Sequence, residues 1–212
     1  MTNVFGTPDK GPRKGRLFQI GLDTLRRDGW TVEKIPGLGK SSVRRILKSG
    51  ETRKVSVRTS QDTWFAFPRN HKDNGWVTLS DVDSVLVVSV DDRSNPKFAQ
   101  VHMIDADEVR QRFDRAYAAR IAAGHTIPLG RGVWLSLYDP DGTNPVSHVG
   151  AGAGLDHPPI ARVHLNPEES NSDNDASEPG DRHKPLTIAE AKRRLATTLG
   201  VDPSSIKITV EA

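Results

Sequence analysis

The hydrophobic positions of this chain change their period several times, and the changes predict an α/β protein. Apolar residues between Lys14 and Arg27 recur at helical spacing, and Gly29 is a natural C-terminal stop. Alternating or continuous apolar runs then predict strands. They lie at Trp30–Ile35, Ser42–Leu47, around Ser56, at Trp64–Phe67, Val82–Val90 and Phe98–Ile104. The Trp64–Phe67 run is expected to continue the Ser56 strand past a bend.

A second helix is predicted to open at Asp105 and to end near Gly124. Asp105 and Glu108 have the spacing of a capping box, and apolar residues recur behind them. A short strand is predicted at Val133–Tyr138. The resulting order, α-β-β-β-(β)-β-β-α-β, indicates a mixed β-sheet flanked by helices. We assign this core to residues 14–165, after a flexible N-terminus at residues 1–13 that is rich in Gly, Pro and Lys.

The composition changes sharply near the C-terminal end. Residues 166–185 are rich in Asp, Glu, Asn and Ser and have almost nothing to bury, which predicts a disordered acidic linker. Residues 186–212 then predict a small helix and a strand, an element too small to fold alone. We expect this element to dock on the main domain, on a copy of itself or on another protein.

Composition also excludes several classes of chemistry. The chain has no cysteine, so disulfides, Cys-ligated zinc and thiol catalysis are ruled out, and a reducing cytoplasm is the expected location. The longest apolar run, Val85–Val90, is far too short to cross a membrane, and the N-terminus lacks the layout of a signal peptide. We expect a cytoplasmic protein with no membrane contact and no cofactor.

Charge is distributed unevenly along the chain. Residues 1–60 hold 14 Lys/Arg against 5 Asp/Glu, a balance of +9, whereas residues 61–150 and 151–212 each carry −3. A compact basic third suggests a surface that meets phosphate or an acidic partner. The candidate nucleic-acid-binding residues are Lys40, Arg44, Arg45, Lys48, Arg53, Lys54 and Arg58, with Trp64 as a stacking residue. The alternatives are a solvated sheet edge for the cations and a core position for Trp64.

The stretch Val55-Ser56-Val57-Arg58-Thr59-Ser60, followed by an aromatic strand, carries a family resemblance. Within the element order from Gly15 to Ile104, it resembles the restriction-endonuclease-like, or PD-(D/E)XK, superfamily of nucleases. That family places an Asp early in the second strand and Glu-x-Lys on the third, often with an acid on the preceding helix. The resemblance assigns these catalytic positions to Ser42, Ser56, Arg58 and Gln19.

None of these four residues can perform the family's chemistry. Hydroxyl and amide groups cannot replace the carboxylates that bind Mg²⁺, and Arg58 cannot exchange a proton near neutral pH. The sequence therefore predicts a degenerate nuclease core without a catalytic metal, acting as a nucleic-acid-binding or recruiting module. The resemblance implies a role similar to accessory parts of mobile-element or anti-phage defence systems. DNA is favoured over RNA as the partner, but the sequence does not choose between them.

Two alternatives remain open. The first is a protein-interaction module, such as an antitoxin or inhibitor, that does not bind nucleic acid. The second is an active Mg²⁺-dependent endonuclease whose ligands come from Asp23, Glu33 and Glu51.

Two weaker motifs do not support a further functional site. His148, His157 and His164 have no metal-ligand spacing and are interpreted as surface histidines, and the Gly150–Gly154 stretch is interpreted as a flexible loop.

Overall fold

The computed structural model describes residues 10–35 and 42–165, together with the single positions 192, 202, 205 and 207. The chain divides into two compact units, residues 1–169 and residues 170–212. In the second unit Lys192 is helical, and the backbone N–H of Ser205 donates to the carbonyl of Asp202 at 2.9 Å. Apart from those four positions, the linker predicted at 166–185 and the element predicted at 186–212 lie outside the described residues.

The first unit is built from strands and helices in the predicted α/β arrangement. Its elements in chain order are α1 (Lys10–Arg27), β1 (Thr31–Lys34), β2 (Val43–Lys48), β3 (Glu51–Thr59), β4 (Trp64–Pro68), β5 (Ser84–Val90), β6 (Phe98–Asp105), α2 (Ala106–Ala122), β7 (Gly132–Ser136), a 3₁₀ turn (Val146–His148), α3 (Ala153–Asp156) and β8 (Ala161–His164).

Six strands form a mixed sheet in the order β1-β2-β3-β5-β6-β8. All neighbours are antiparallel except β3 and β5, which are parallel. In this register Ser56 lies between Val43 on β2 and Val85 on β5, so these three side chains share one face of the sheet. The predicted mixed sheet flanked by helices is confirmed at this level.

The aromatic strand β4 does not continue β3, contrary to the prediction. It pairs with β7 in a separate two-stranded ribbon, with Phe65 opposite Leu135 and Phe67 opposite Val133. Hydrogen bonds at the intervening turn redirect the chain, since the Asp62 carboxylate accepts from the backbone N–H of Thr63 at 2.7 Å. The redirected strand buries its phenylalanines in the core beneath α2 instead of extending the sheet.

Each face of the large sheet has its own hydrophobic core. On one face α1 packs Leu17, Leu22 and Leu25 against side chains that include Leu86 and Val88. On the other face Phe113 of α2 meets three rings edge-on, at 5.3, 5.2 and 5.2 Å between centroids; these belong to Phe65, Phe67 and Trp76. Strand β5 is therefore buried on both faces, which explains its nearly continuous aliphatic sequence.

The helix boundaries show where patterning suffices and where it does not. Asp105 caps α2 as predicted, since its side chain accepts from the backbone N–H groups of Asp107 and Glu108 at 2.8 and 3.3 Å. Helix α1 begins at Lys10, four residues before the apolar periodicity starts. Residues 13–16 are exposed, so the hydrophobic pattern does not mark them as helical. Strand β8, which pairs with β6 at the sheet edge, was not predicted at all.

Candidate nucleic-acid interface

Ser56 occupies the position where the nuclease resemblance expects a metal-binding glutamate, and it is completely buried. Its relative exposure is 0%, and among the described residues its hydroxyl has no hydrogen-bond partner. Its neighbours on this face, Val43 and Val85, belong to the same core as Phe67, Leu79 and Val82. Hydrophobic packing therefore fills the place where a metal and a phosphate would have to enter.

Arg58, two residues along β3, faces the same side and is held by uncharged groups. Its guanidinium lies 4.0 Å from the centroid of the Phe67 ring, and its Nη2 donates to the carbonyl of Val77 at 3.2 Å and to Oγ1 of Thr78. Its Nε has no partner among the described residues. Burial lowers the pKa of Arg58 to about 10. The guanidinium of Arg58 therefore binds the loop that contains Val77 and Thr78 and is not available as a phosphate contact.

The other two nuclease-like positions lie apart from each other. Ser42 precedes β2, and its carbonyl accepts the backbone N–H of Val57 at 2.8 Å, so it adjoins the Ser56–Arg58 segment. Gln19 is exposed on α1, which covers the opposite face of the sheet, and its Nε2 donates to Asp23 at 2.8 Å. The structure brings Ser42, Ser56 and Arg58 together and separates Gln19 from them.

The acids of the rearranged-nuclease alternative do not converge either. Asp23 lies 2.7 Å from Arg26, Glu33 lies 3.8 Å from Arg45, and Glu51 pairs with Arg53. Within residues 10–35 and 42–165, no group of three Asp, Glu or His side chains is placed to hold a metal ion.

A groove of about 440 Å³ opens on the α1 side of the sheet, near the C-terminal end of that helix. Its walls include Trp30, Met103 and Ile160, and its acid, Asp28, already contacts Lys48 at 3.1 Å. Ser56 and Arg58 face the opposite side of the sheet, so this groove and the nuclease-like positions are separate features.

Strand alternation divides the predicted basic residues between the two faces of the sheet. Arg44 and Lys48 face α1. Arg44 is only 7% exposed, lies over the Phe18 ring at 5.0 Å and donates to the Val43 carbonyl at 2.9 Å, and burial lowers its pKa. Lys48 lies 5.6 Å from the centroid of Trp30. Neither side chain is therefore presented as a free phosphate contact.

The remaining predicted cations are also dispersed. Arg53 shares the α1 side, whereas Arg45 and Lys54 are exposed on the side of Ser56. The backbone N–H of Lys54 donates to the Asp83 carboxylate at 2.7 Å, and its side chain is exposed to solvent. Trp64 lies on the β4–β7 ribbon and not on the paired strands β2 and β3 that carry the basic residues. Lys40 lies outside the described residues.

An uncompensated basic surface is found instead on the first half of α1. Arg13, Lys14 and Arg16 are all exposed, and within the described residues no ion pair engages them. The helix has no acid in its first turn, where acids are normally favoured by the helix macrodipole. Sequence reasoning placed Arg13 in the flexible N-terminus and Lys14 and Arg16 in the predicted helix, and it counted none of the three among the candidate binding residues. The acid-free run from Lys10 to Leu22 was the signal that could have identified them.

Beneath α2 lies a buried polar network that sequence analysis also missed. His102, which is fully buried, contacts the carbonyl of His157 through Nδ1 at 2.7 Å and the hydroxyl of Tyr138 through Nε2 at 2.8 Å. Since a carbonyl only accepts, Nδ1 carries the proton, whereas the hydroxyl of Tyr138 donates to Oε1 of Gln100 at 2.6 Å. Burial lowers the pKa of His102 and raises that of Tyr138.

A second buried group ties α2 to the glycine-rich segment. Arg112 donates to Glu108 at 2.9 Å, to the Ala151 carbonyl at 2.7 Å and to Asp156. Burial alone would lower the pKa of Arg112, but the bonds to Asp156 and Glu108 raise it. Residues 150–154 are buried, so their interpretation as a flexible loop is wrong. His157 is not a simple surface histidine, since its Nε2 lies 2.7 Å from Glu108.

Fold and surface together define an α/β protein with a mixed six-stranded sheet and a basic N-terminal helix. The face of the sheet that carries Ser56 and Arg58, called the inner face below, is closed by packed side chains. Comparison with known protein families, curated proteins and solved structures finds no match to this chain. Among the described residues, no helix has the length and apolar character needed to span a membrane.

Proposed function

We propose that this protein binds nucleic acid without cleaving it, and that the first half of α1 is the surface that meets the phosphates. The observation that carries the proposal is the charge balance of the first 60 residues. Every acid in their described part is ion-paired, through Asp23–Arg26, Asp28–Lys48, Glu33–Arg45 and Glu51–Arg53. The exposed cations in the first half of α1, Arg13, Lys14 and Arg16, are therefore left without internal compensation, as a polyanion-binding surface requires.

The helix geometry strengthens this argument. Arg13 lies at the end of the first turn of α1, where a positive charge opposes the helix macrodipole and costs stability unless an anion is bound, and Lys14 and Arg16 follow within the next turn. A nucleic-acid backbone supplies such anions at regular spacing. Contacts of this kind give affinity that falls as salt concentration rises and that depends little on sequence.

The absence of cleavage in this proposal rests on the inner face of β3. The order of helix, antiparallel meander and Ser56-Val57-Arg58 on the third strand supports descent from a restriction-endonuclease-like core. Ser56 supplies no carboxylate, and packed side chains occupy the space around it. The fold would then be retained as a scaffold for binding or recruitment.

The test is fluorescence anisotropy of a labelled 20-base-pair DNA duplex at low and at physiological salt. The informative variant is Arg13→Glu/Arg16→Glu, because acids near a helix N-terminus favour the helix and lost binding would not reflect unfolding. Arg44 is a poor probe, since its side chain is buried. The matched control, Arg93→Glu/Lys97→Glu, changes net charge equally on an exposed loop of the middle third.

We expect the wild type to bind with micromolar or tighter affinity and this affinity to fall as salt rises. Binding by the α1 variant should be weaker by on the order of ten-fold or more, and binding by the control should change much less. Equal losses in both variants would show that only net charge matters and would overturn the assignment of the surface. No binding at low salt would overturn the function itself.

A further inference from the structure

Trp134 is a large aromatic side chain that the fold leaves in solvent. It is 54% exposed and projects from the outward face of the β4–β7 ribbon, whose inward face carries Phe65, Phe67 and Leu135 into the core. Trp134 lies opposite Ala66, and an exposed aromatic ring at this position adds nothing to that core.

A second indole shares this face. Trp64 lies opposite Ser136, two positions along β7 from Trp134, so the two tryptophans occupy diagonal positions of one cross-strand surface. Diagonal neighbours in an antiparallel pair are about 7–8 Å apart at their Cα atoms. The rest of the face consists of Ser136, which is buried, and of three small or flat residues that stay partly exposed, Ala66, Pro68 and Gly132. The two indole rings are therefore the only large side chains among the described residues on this face of the ribbon.

The sequence segments that carry β4 and β7 are basic, although Asp62 lies two residues before Trp64. No Asp or Glu occurs between Asp114 and Asp139, or between Asp62 and Asp73, although both segments contain basic residues. Arg120 donates to the carbonyl of Trp134 at 2.9 Å, which brings its guanidinium to the ribbon edge. Arg131, next to β7, is exposed. Aromatic rings with arginines beside them favour a ligand that is both planar and anionic.

We propose that the outward face of the β4–β7 ribbon, centred on Trp134 and Trp64, is a stacking platform for single-stranded nucleic acid. A base can stack on an indole only when its own face is free, as it is in a single strand, and Arg131 then lies near the phosphates. This inference rests on the proposed function and adds the strand state of the ligand. It also assigns that preference to a surface distinct from α1.

The experiment measures full-length protein against labelled single strands of 12 nucleotides, oligothymidylate and oligouridylate, and against the DNA duplex. The variants are Trp134→Ala and Trp134→Phe, which differ in whether a ring remains. The control is Leu129→Ala, which removes another side chain that is 54% exposed, in the loop between α2 and β7. Thermal unfolding of each variant verifies that the fold is retained.

We expect Trp134→Ala to weaken binding of both single strands by on the order of ten-fold, Trp134→Phe to retain most of the affinity, and duplex binding to stay unchanged. A larger loss with one strand type identifies DNA or RNA as the preferred ligand and supports the platform. Leu129→Ala is expected to have no effect.

Several results would overturn the platform. If duplex binding depends on Arg13 and Arg16 while Trp134→Ala leaves single-strand binding intact, the platform alone fails and the proposed function stands. If Leu129→Ala weakens binding as much as Trp134→Ala, the patch is a general apolar surface. If the wild type binds no nucleic acid at low salt, both proposals fail, and concentration-dependent sedimentation lost in Trp134→Ala would identify the face as an interface between copies.

Discussion

The guanidinium of Arg58 lies 4.0 Å from the centre of the Phe67 ring, at the position where the nuclease resemblance expects a catalytic lysine. The same group donates to Val77 and Thr78, so it fixes the covering loop to β3. Thr78 has a positive φ of 71°, which is unusual for a β-branched residue. The face of the sheet that carries Ser56 and Arg58 is thus closed by packed side chains, and this closure can be tested.

Ser56 provides the most direct test of a closed inner face. Ser56→Ala removes a buried hydroxyl that has no partner among the described residues, so its free energy of unfolding should stay within about 1 kcal/mol of wild type or rise. Ser56→Glu would bury a carboxylate among hydrophobic side chains and should cost about 3 kcal/mol or more. Urea-induced unfolding measures both changes. A stable Ser56→Glu protein that cleaves DNA with Mg²⁺ would contradict the closed site.

Arg58 tests whether this buried cation acts through shape or through charge. Arg58→Met keeps an apolar stem over Phe67 but leaves the Val77 carbonyl and Thr78 hydroxyl without that donor, at a cost of about 1–3 kcal/mol. Arg58→Lys should destabilise more, because an ammonium is more strongly hydrated and lacks the planar stacking surface. Urea titrations rank the two variants. A milder effect of Arg58→Lys would show that positive charge itself is needed at this position.

Two glycines of α1 offer a matched pair that probes its packing on the sheet. A Cβ at Gly21 would lie 2.7 Å from Cγ2 of Val88, whereas one at Gly15 would meet nothing within 4 Å. Gly15→Ala should therefore stabilise the protein by up to about 1 kcal/mol through helix propensity. Gly21→Ala should destabilise it by about 1–3 kcal/mol, because overpacking outweighs propensity. Opposite signs of the change in unfolding free energy are expected, and equal signs would refute the close approach.

His102 should make stability depend on pH in one direction. Burial lowers its folded pKa below the ordinary value of 6.5, so the unfolded chain binds the proton first as pH falls. Its contribution is present above about pH 6.5 and is lost progressively below that value. Unfolding free energies at pH 7.5 and 5.5 should differ less in His102→Gln than in wild type. Identical pH dependence of the two proteins would show that His102 is not the titrating group.

Much of the fold follows from local patterns. The buried run of β5 and the cap of α2 at Asp105 were predictable because each depends on neighbouring residues, and a mixed sheet followed from the order of the predicted elements. The pairing of β4 with β7 was not, since it joins Phe65 to Leu135 across 70 positions of sequence. The burial of Gly150 was equally hidden. It depends on contact with the backbone of Arg112, where a Cβ on the glycine would collide with the carbonyl oxygen.

The sign of the charge on the candidate surface was predictable from the sequence, but the position of that surface in the fold was not. Counting charges located the basic third of the chain, yet it could not tell which cations are neutralised. Pairs such as Lys48–Asp28 and Arg45–Glu33 depend on strand register and on the helix–sheet contact, which only the folded chain displays. Trp134 was overlooked because an alternating strand sequence does not reveal which face remains uncovered.

The position of α1 in the core has a consequence for how the chain can be built and dissected. Its buried leucines meet Leu86 and Val88, which lie about 60 residues further along the chain. During synthesis from the N-terminus, the helix therefore stays without its β5 partners until that strand has been made, although Ile46, Val55 and Val57 of the same core come earlier. The basic first third is not an independent fragment. A truncated peptide containing only residues 1–60 would expose the leucines of α1 and would not report on the binding properties of the intact protein.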